Sequence, residues 1–513
     1  ICVGIQFPQL GKKALKVLRK IKEQNGYILS NRKNAAMMTD LVNMDRFHIG
    51  KVASELTAHV MGIPMDSGYI QFVPAGVRTT LSYPTPVQTS KDFERALKSR
   101  LYRSLEKEYG EAHIMAAIRE DAATKGSPVA HVLQSLDRTP KAERPVNYEY
   151  ISGTYRDGLP YNGALARINL RKEKWDFSVL SSAEAPKTVL RFARSFERQS
   201  GRTARIAWNG GYILNPELVG KLGLPETYIG SPLGLIISEG QMLSAPLFNK
   251  PALLVNRDGS MDIRRVHCRE GLTLSRNERE LVFSPQMYNP ESKHSGRAYY
   301  DLFYVHGHIE AHGRIFVRMA GDAVKEILET KAGDRVEVVP VGLTLAFKPE
   351  EFPENLKEGE KLGLSLPGYE NVLHGVEAGP LLIEGGKICI DMKTEGWLNI
   401  NSIRTQAARL DYTQMRGPKI AVGINQEGYL VVLTINGRIR ESVGATHGDM
   451  AHILLEQGIE KAMGFDPGGS STLVVDHQAL NISPYNSMYE SNVYALSPEP
   501  RAVSNAIVGY IRE

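Results

Sequence analysis

From about Tyr148 onward, short β-branched runs punctuated by glycine and proline dominate this chain, and that texture constrains its fold more than any other feature. Residues 204–208, 233–238, 252–255, 315–317, 335–341, 380–383 and 419–424 each have the length and composition of a strand bounded by turn residues. Residues 419–435 read as a hairpin, with Asn425-Gln426-Glu427-Gly428 as its turn. The second strand then meets Asn436-Gly437, a dipeptide favoured in type I′ turns. Helical patterns are fewer, at about 184–199, 215–222 and 447–457, and no fixed-period repeat is visible. The expected fold is therefore α+β, with a mainly antiparallel sheet and a few helices, and not a doubly wound parallel sheet.

Residues 1–145 differ in texture, and their expected form is a helix-rich N-terminal region of unknown role, ahead of one domain over 146–513. Residues 11–24 place Ala14, Leu15, Val17, Leu18 and Ile21 between lysines and an arginine, which is an amphipathic helix with a basic face. That face is read as solvated while the helix packs on its own domain; nucleic-acid or membrane contact is the alternative. A second helical stretch covers about 91–123, an extended arm or hairpin 68–83, and a proline-bearing linker 124–147. The net charge of +5, from 62 basic and 57 acidic residues, is small for 513 residues, so no nucleic-acid partner is expected. No run approaches the roughly 18 apolar residues of a membrane span. Cys2, Cys268 and Cys389 match no zinc spacing, and a disulfide-stapled scaffold is not expected. The chain opens on Ile1 without a visible signal peptide, and its oligomeric state is not legible.

Three segments have the residue types of a site. The first is 444–476, where Thr446 is a natural N-cap and Asp449 completes a capping box with Asp in place of Glu. A helix follows to a stop at Gly458, then a short strand to Asp466, then Pro467-Gly468-Gly469-Ser470-Ser471-Thr472. A turn without bulky side chains lets successive amides converge on an anion, with the Ser470, Ser471 and Thr472 hydroxyls beside them. Asp466 at its mouth is either catalytic or the owner of an Asx-turn. The second segment, Asn209-Gly210-Gly211-Tyr212, lets backbone approach a ligand closely, and the third is Glu377-Ala378-Gly379-Pro380. An ordinary turn explains either of these equally well in isolation.

In this order, these segments resemble the phosphodiester glycosidase family. The resemblance extends through Val422-Gly423-Ile424, Asn436-Gly437-Arg438, Gly444-Ala445-Thr446, Asn481-Ile482-Ser483-Pro484 and Arg501-Ala502-Val503-Ser504-Asn505-Ala506-Ile507, over roughly 150–513. It implies a hydrolase of bacterial type that cleaves the anomeric bond of a sugar-1-phosphodiester or related glycoside, with a carbohydrate or sugar-phosphate substrate. It also implies a secreted or periplasmic location. Departures are Pro467 for the first loop glycine, Pro418-Lys419 where an arginine is expected, Asn436 for an aspartate, and a scrambled N-x-P-S tetrad. The alternatives are a non-catalytic carbohydrate- or anion-binding protein on the same fold, and a phosphodiesterase that cuts the P–O bond.

Cleavage of an anomeric bond calls for a carboxylic acid and a carboxylate near the anomeric carbon. Asp466 is the leading catalytic candidate, with Asp449 or Glu377 as the second. Asp449 as a helix cap and Glu377 as a solvated turn residue are the structural alternatives. His447, in the first turn of its helix, is either a neutral base or donor or a surface histidine. Asn209, Gly210, Gly211, Gly379, Gly468, Gly469, Ser470, Ser471, Thr472 and Arg501 are the candidate substrate-binding residues. No cofactor is expected. His306, His308, Glu310 and His312 would share one face of a strand and so offer a divalent metal a second, less favoured, place.

Overall fold

The computed structural model of the protein describes residues 145–512, apart from 157–158, 183–184, 404–412, 414–415, 438–441, 482 and 484–499. The helices at 11–24 and 91–123, the arm at 68–83 and the linker up to 144 lie outside the described residues.

The hairpin Lys419–Ile424 and Tyr429–Ile435 shows how sequence becomes architecture. Val422 stands opposite Val432, and both strands are apolar at almost every position. Such runs arise where a sheet is covered on both faces. Ile420, Val422, Leu430 and Val432 point into the central core, while Ala421, Val431, Leu433 and Ile435 face the helix His447–Glu456. Each large side chain removed from water in this way contributes about 1.5–3 kcal/mol.

This hairpin lies within a seven-stranded sheet that includes Asn147–Thr154, Pro160–Asn169, Lys461–Gly464 and Leu381–Glu384. Across the core stands a five-stranded sheet, in which Asn505–Ile511 lies between Trp175–Ser181 and Ala204–Asn209, with Leu473–Val475 beyond. The named strand pairs in both sheets are antiparallel, as the turn-rich texture leads one to expect. Trp208, Phe177 and Phe465 meet edge to face between the sheets.

A helix covers each outer face. Helix α1, Val189–Ser200, buries Val189, Phe192, Ala193 and Phe196, the one-face spacing of a helix, against Ala207, Val474 and Val508 of the five-stranded sheet. Thr188 caps it by accepting from Arg191 N, and Gly201 at φ 69° ends it. Helix α2 is Pro216–Leu222. Helix α3, His447–Glu456, packs Met450, Ala451, Ile453 and Leu454 on the seven-stranded sheet. An eight-stranded sheet completes the core with Leu253, Val255 and Val376, and on its other face packs a four-stranded sheet through Val317, Leu345 and Phe347.

Two local expectations are corrected. Asn436-Gly437 does not form a type I′ turn, because neither residue takes the positive φ that turn requires. Instead Asn436 is fully buried, donating from Nδ2 to Asn162 Oδ1 at 2.7 Å and from its amide to Asn162 O at 2.9 Å. The strand expected over 335–341 closes at Glu337, since Val338 turns to bond Gly307 O. Among the described residues no helix is long and apolar enough to cross a membrane.

Candidate active site

The strand Ala204–Asn209 delivers Asn209 to the glycine-rich loop. Its Nδ2 donates to Asp466 O at 2.9 Å, and its Oδ1 accepts from Thr472 N at 3.0 Å. One buried side chain therefore ties both ends of the 466–472 segment. Asp466 N in turn donates to Gly210 O at 3.1 Å. Gly210 and Gly211 admit no side chain: a Cβ would lie 1.9 Å from Asn505 Oδ1 at the first and 2.2 Å from Glu377 O at the second. Gly211 N donates to Asn505 Oδ1 at 2.7 Å, and Tyr212 Oη donates to Gly379 O at 2.6 Å. Gly379 N and Gly464 N exchange hydrogen bonds with Gly464 O and Pro380 O, on either side of the cis Gly379–Pro380 bond. Segments 209–212, 377–380 and 464–472 and the strand starting at Asn505 thus meet at one place.

The loop is not the open nest of amides that its glycines suggest. Gly468 N donates to Pro418 O at 2.8 Å, Ser471 N to Gly468 O at 3.2 Å, and Thr472 N to Asn209 Oδ1. Three of its donors are spent on holding its shape. Side chains add further donors and acceptors. The Ser470 hydroxyl bonds the Asp466 carboxylate. Ser471 Oγ and Asn505 Nδ2 are buried and without a hydrogen-bond partner among the described residues. Buried polar atoms left so are costly unless a ligand or water meets them.

The candidate carboxylates separate by environment. Asp466 keeps partial solvent access. Burial pushes its carboxyl up to about 6, against the opposing effects of the Ser470 hydroxyl and the Arg501 and Lys250 charges. Glu377 is fully buried, which corrects the solvated-turn alternative. Its Oε2 accepts from Leu235 N at 2.7 Å and Leu247 N at 3.1 Å, and its Oε1 from Phe248 N at 3.2 Å. With both oxygens engaged it lies against Gly234, and burial pushes its carboxyl up to about 7. Asp449 is the helix cap: Oδ2 accepts from Thr446 N at 2.8 Å, Thr446 Oγ1 accepts from Asp449 N at 3.0 Å, and Arg416 pairs with it at 3.2 Å.

His447 is fully buried, which corrects the surface-histidine alternative. Its Nε2 lies 3.0 Å from where a side chain on Gly464 would begin, and neither ring nitrogen has a partner among the described residues. Burial, then the Lys419 charge, holds it well below the usual histidine range, hence neutral. Arg501 lies close enough to Asp466 to favour its charged form. The 306–312 run does not make one ligand face. Only His308–Glu310 is a strand, His306 meets the Tyr304 ring edge to face, and His312 turns away at φ 51° to meet Ser292 O. Among the described residues no group of three or more His, Cys, Asp or Glu side chains could hold a metal ion.

The sequence reading gave no role to three residues of the surroundings. Lys250 is fully buried with its Nζ 4.9, 4.6 and 5.2 Å from the Tyr212, Phe248 and Trp397 ring centres. Glu395, also fully buried, accepts from Leu381 N at 2.7 Å and Trp397 Nε1 at 3.2 Å, and burial pushes it up to about 7. Asn505 was quoted only as a motif letter. Lys250 carried one legible sign, a single charge between Phe248 and the apolar run from Pro251 to Val255.

Comparison with known proteins agrees with the resemblance seen in the motifs. A prophage-derived uncharacterized protein of Bacillus subtilis strain 168 is 36% identical over 67 residues, 13% of this chain and 10% of that relative. A hypothetical protein from Synechocystis aligns at 19% identity and a TM-score of 0.45, over 72% of this chain and 62% of its own. A putative exported protein from Burkholderia pseudomallei aligns at 19% and 0.42, over 68% and 74%. The catalytic domain of zebrafish N-acetylglucosamine-1-phosphodiester alpha-N-acetylglucosaminidase, auto-inhibited by its pro-peptide, aligns at 15% and 0.38, over 76% and 87%. Residues 292–510, which supply the 377–380 segment, the glycine-rich loop and Asn505, match the model of the phosphodiester glycosidase family.

Proposed function

We propose that this protein is a glycoside hydrolase that cleaves the anomeric bond of a sugar-1-phosphodiester or related glycoside, with Asp466 as the reactive carboxylate. The observation that carries this reading is the company Asp466 keeps. It keeps partial solvent access without being spent on a helix cap, it bonds Ser470, it feels Arg501, and the segment bearing it is bonded to Asn209 and Gly210.

A phosphodiester is a weak base and leaves without being protonated, so the site must steady its charge. Arg501 and the Ser470, Ser471 and Asn505 donors suit that task. Asp466, ionised, takes a proton from the attacking water as it adds to the anomeric carbon. The C–O bond breaks with its electron pair passing to the phosphate oxygen.

The test is turnover of a sugar-1-phosphodiester by wild-type protein and by Asp466→Asn. Loss of a positioned base is expected to cost roughly 10²- to 10⁴-fold in kcat/KM. The circular dichroism spectrum should be unchanged. Because the working form is the carboxylate, wild-type activity should fall as pH drops through about 6. In ¹⁸O water the label should enter the sugar; label in the phosphate would mean P–O cleavage instead. The spent amides of Gly468, Ser471 and Thr472 favour a second reading, a binding protein that has lost catalysis. Calorimetric binding without product at any enzyme concentration would establish that one.

A further inference from the structure

Asp466 is gripped by its main chain on both sides. Its amide donates to Gly210 O at 3.1 Å, and its carbonyl accepts from Asn209 Nδ2 at 2.9 Å. A residue fixed at both its N–H and its C=O has the direction of its Cα–Cβ bond fixed too, and with it the aim of its side chain. At the far end of the loop, Thr472 N donates to Asn209 Oδ1 at 3.0 Å, and Thr472 O accepts from Asn209 N at 3.3 Å. Ser470, whose hydroxyl bonds the Asp466 carboxylate, lies between these two anchored ends. One side chain therefore sets the carboxylate and its hydroxyl partner relative to each other.

An anchor holds only as firmly as it is itself held. Asn209 ends the strand Ala204–Asn209, which lies between Leu473–Val475 and Asn505–Ile511, and it stands opposite Ala506. It is 1% exposed. Its amide has one possible orientation, because Thr472 N can only donate and Asp466 O can only accept. Close relatives of asparagine do not reproduce the pair of bonds. Aspartate sets a second acceptor against Asp466 O, serine has one atom to serve two separate partners, and glutamine is longer by a methylene. With both polar atoms turned to the loop, Asn209 departs from the substrate contact that its asparagine-glycine-glycine motif leads one to expect.

We propose that Asn209 is the positioning residue of this site: bonding Asp466 O and Thr472 N from a single side chain, it aims the Asp466 carboxyl at the anomeric carbon and does not itself contact substrate. This rests on the reading of Asp466 as the reactive carboxylate.

The test is how the loss divides between kcat and KM on a sugar-1-phosphodiester. Asn209→Ser leaves a small polar side chain that cannot reach both partners. Its kcat should fall roughly 10²-fold, as a misplacement of about 1 Å does, with KM within about threefold of wild type. A larger rise in KM means that a substrate contact was lost, and it overturns the proposal. Wild-type kcat in a folded variant overturns it too, since Asn209 would then serve the fold alone. If the variant does not fold, wild type decides by NMR with a glycosyl methylenephosphonate, whose carbon bridge cannot be hydrolysed. The Asn209 side-chain amide protons should show proximity to Asp466 and Gly210 and none to the ligand; proximity to the ligand refutes the idea. Wild type inert on every sugar phosphodiester defeats the proposed function, whereas active wild type with the loss of Asn209→Ser confined to KM defeats only the role of Asn209.

Discussion

A neutral imidazole carries one donor and one acceptor, and at His447 both are buried without a partner among the described residues. Each such atom costs on the order of 1–3 kcal/mol. The ring is also held neutral, so its folded-state pKa lies below the unfolded value near 6.5. The stability it carries is present above that value and lost as pH falls below it, at up to about 1.4 kcal/mol per pH unit. His447→Leu should therefore raise stability at pH 7 by roughly 1–3 kcal/mol. It should also flatten the decline between pH 6.5 and 5, as measured by urea unfolding at several pH values. An unchanged slope would mean that the ring protonates freely in the native state. Position was legible for this residue, in the first turn of a capped helix, but environment was not. Burial of His447 comes from Gly464 on a neighbouring strand, a residue with no side chain to fill the space. Asp466 was easier, because its motif fixes both its place and its neighbours. Lys250 needed three rings from three separate segments, and no local pattern announces that.

Elements were more legible than sites, because their periodicities are local. The helices at 184–199, 215–222 and 447–457 correspond to Val189–Ser200, Pro216–Leu222 and His447–Glu456, the last with the Thr446 N-cap its sequence offers. The Lys419–Ile435 hairpin held for the same reason, two apolar runs on either side of a short turn. Asn436-Gly437 misled because its partner, Asn162, is 274 residues away and captures the asparagine side chain. Two loop amides are taken in the same manner: Pro418 and Asn209, remote in sequence, accept from Gly468 and Thr472. At α3 the reciprocal cap between Thr446 and Asp449 both starts the helix and fixes Arg416. Thr446→Ala is expected to cost about 1 kcal/mol in chemical denaturation. Asp449→Asn should cost less than Asp449→Ala, since an amide oxygen still accepts from the Thr446 amide. Equal losses would assign Asp449 a role beyond capping.

At the scale of the whole molecule, the family match over 292–510 is not a self-contained body. Pro160–Asn169 pairs along the length of Tyr429–Ile435, and Ala204–Asn209 and Trp175–Ser181 flank Asn505–Ile511. A fragment of residues 292–510 would expose both sides of a core that includes Trp208, Phe177 and Ile168. Such a fragment is expected to lack a cooperative thermal transition in calorimetry; a sharp endotherm would show that the earlier strands are dispensable. The fold class was readable from turn density alone, but the interleaving of early and late strands was not, because strand order depends on contacts between residues hundreds of positions apart.

The strand bearing Asn505 has a consequence for synthesis in the cell. Trp175–Ser181 and Ala204–Asn209 are not neighbours; the late strand is inserted between them. At ribosomal speeds of about 5–20 residues per second, these two segments spend many seconds as unpaired edges while the intervening chain is made. Asn505 and the amides of Gly210 and Gly211 therefore find each other only after translation has passed residue 505. The proposed site is then unassembled until nearly all of the domain has left the exit tunnel, and its exposed edges in that interval are where a chaperone would bind.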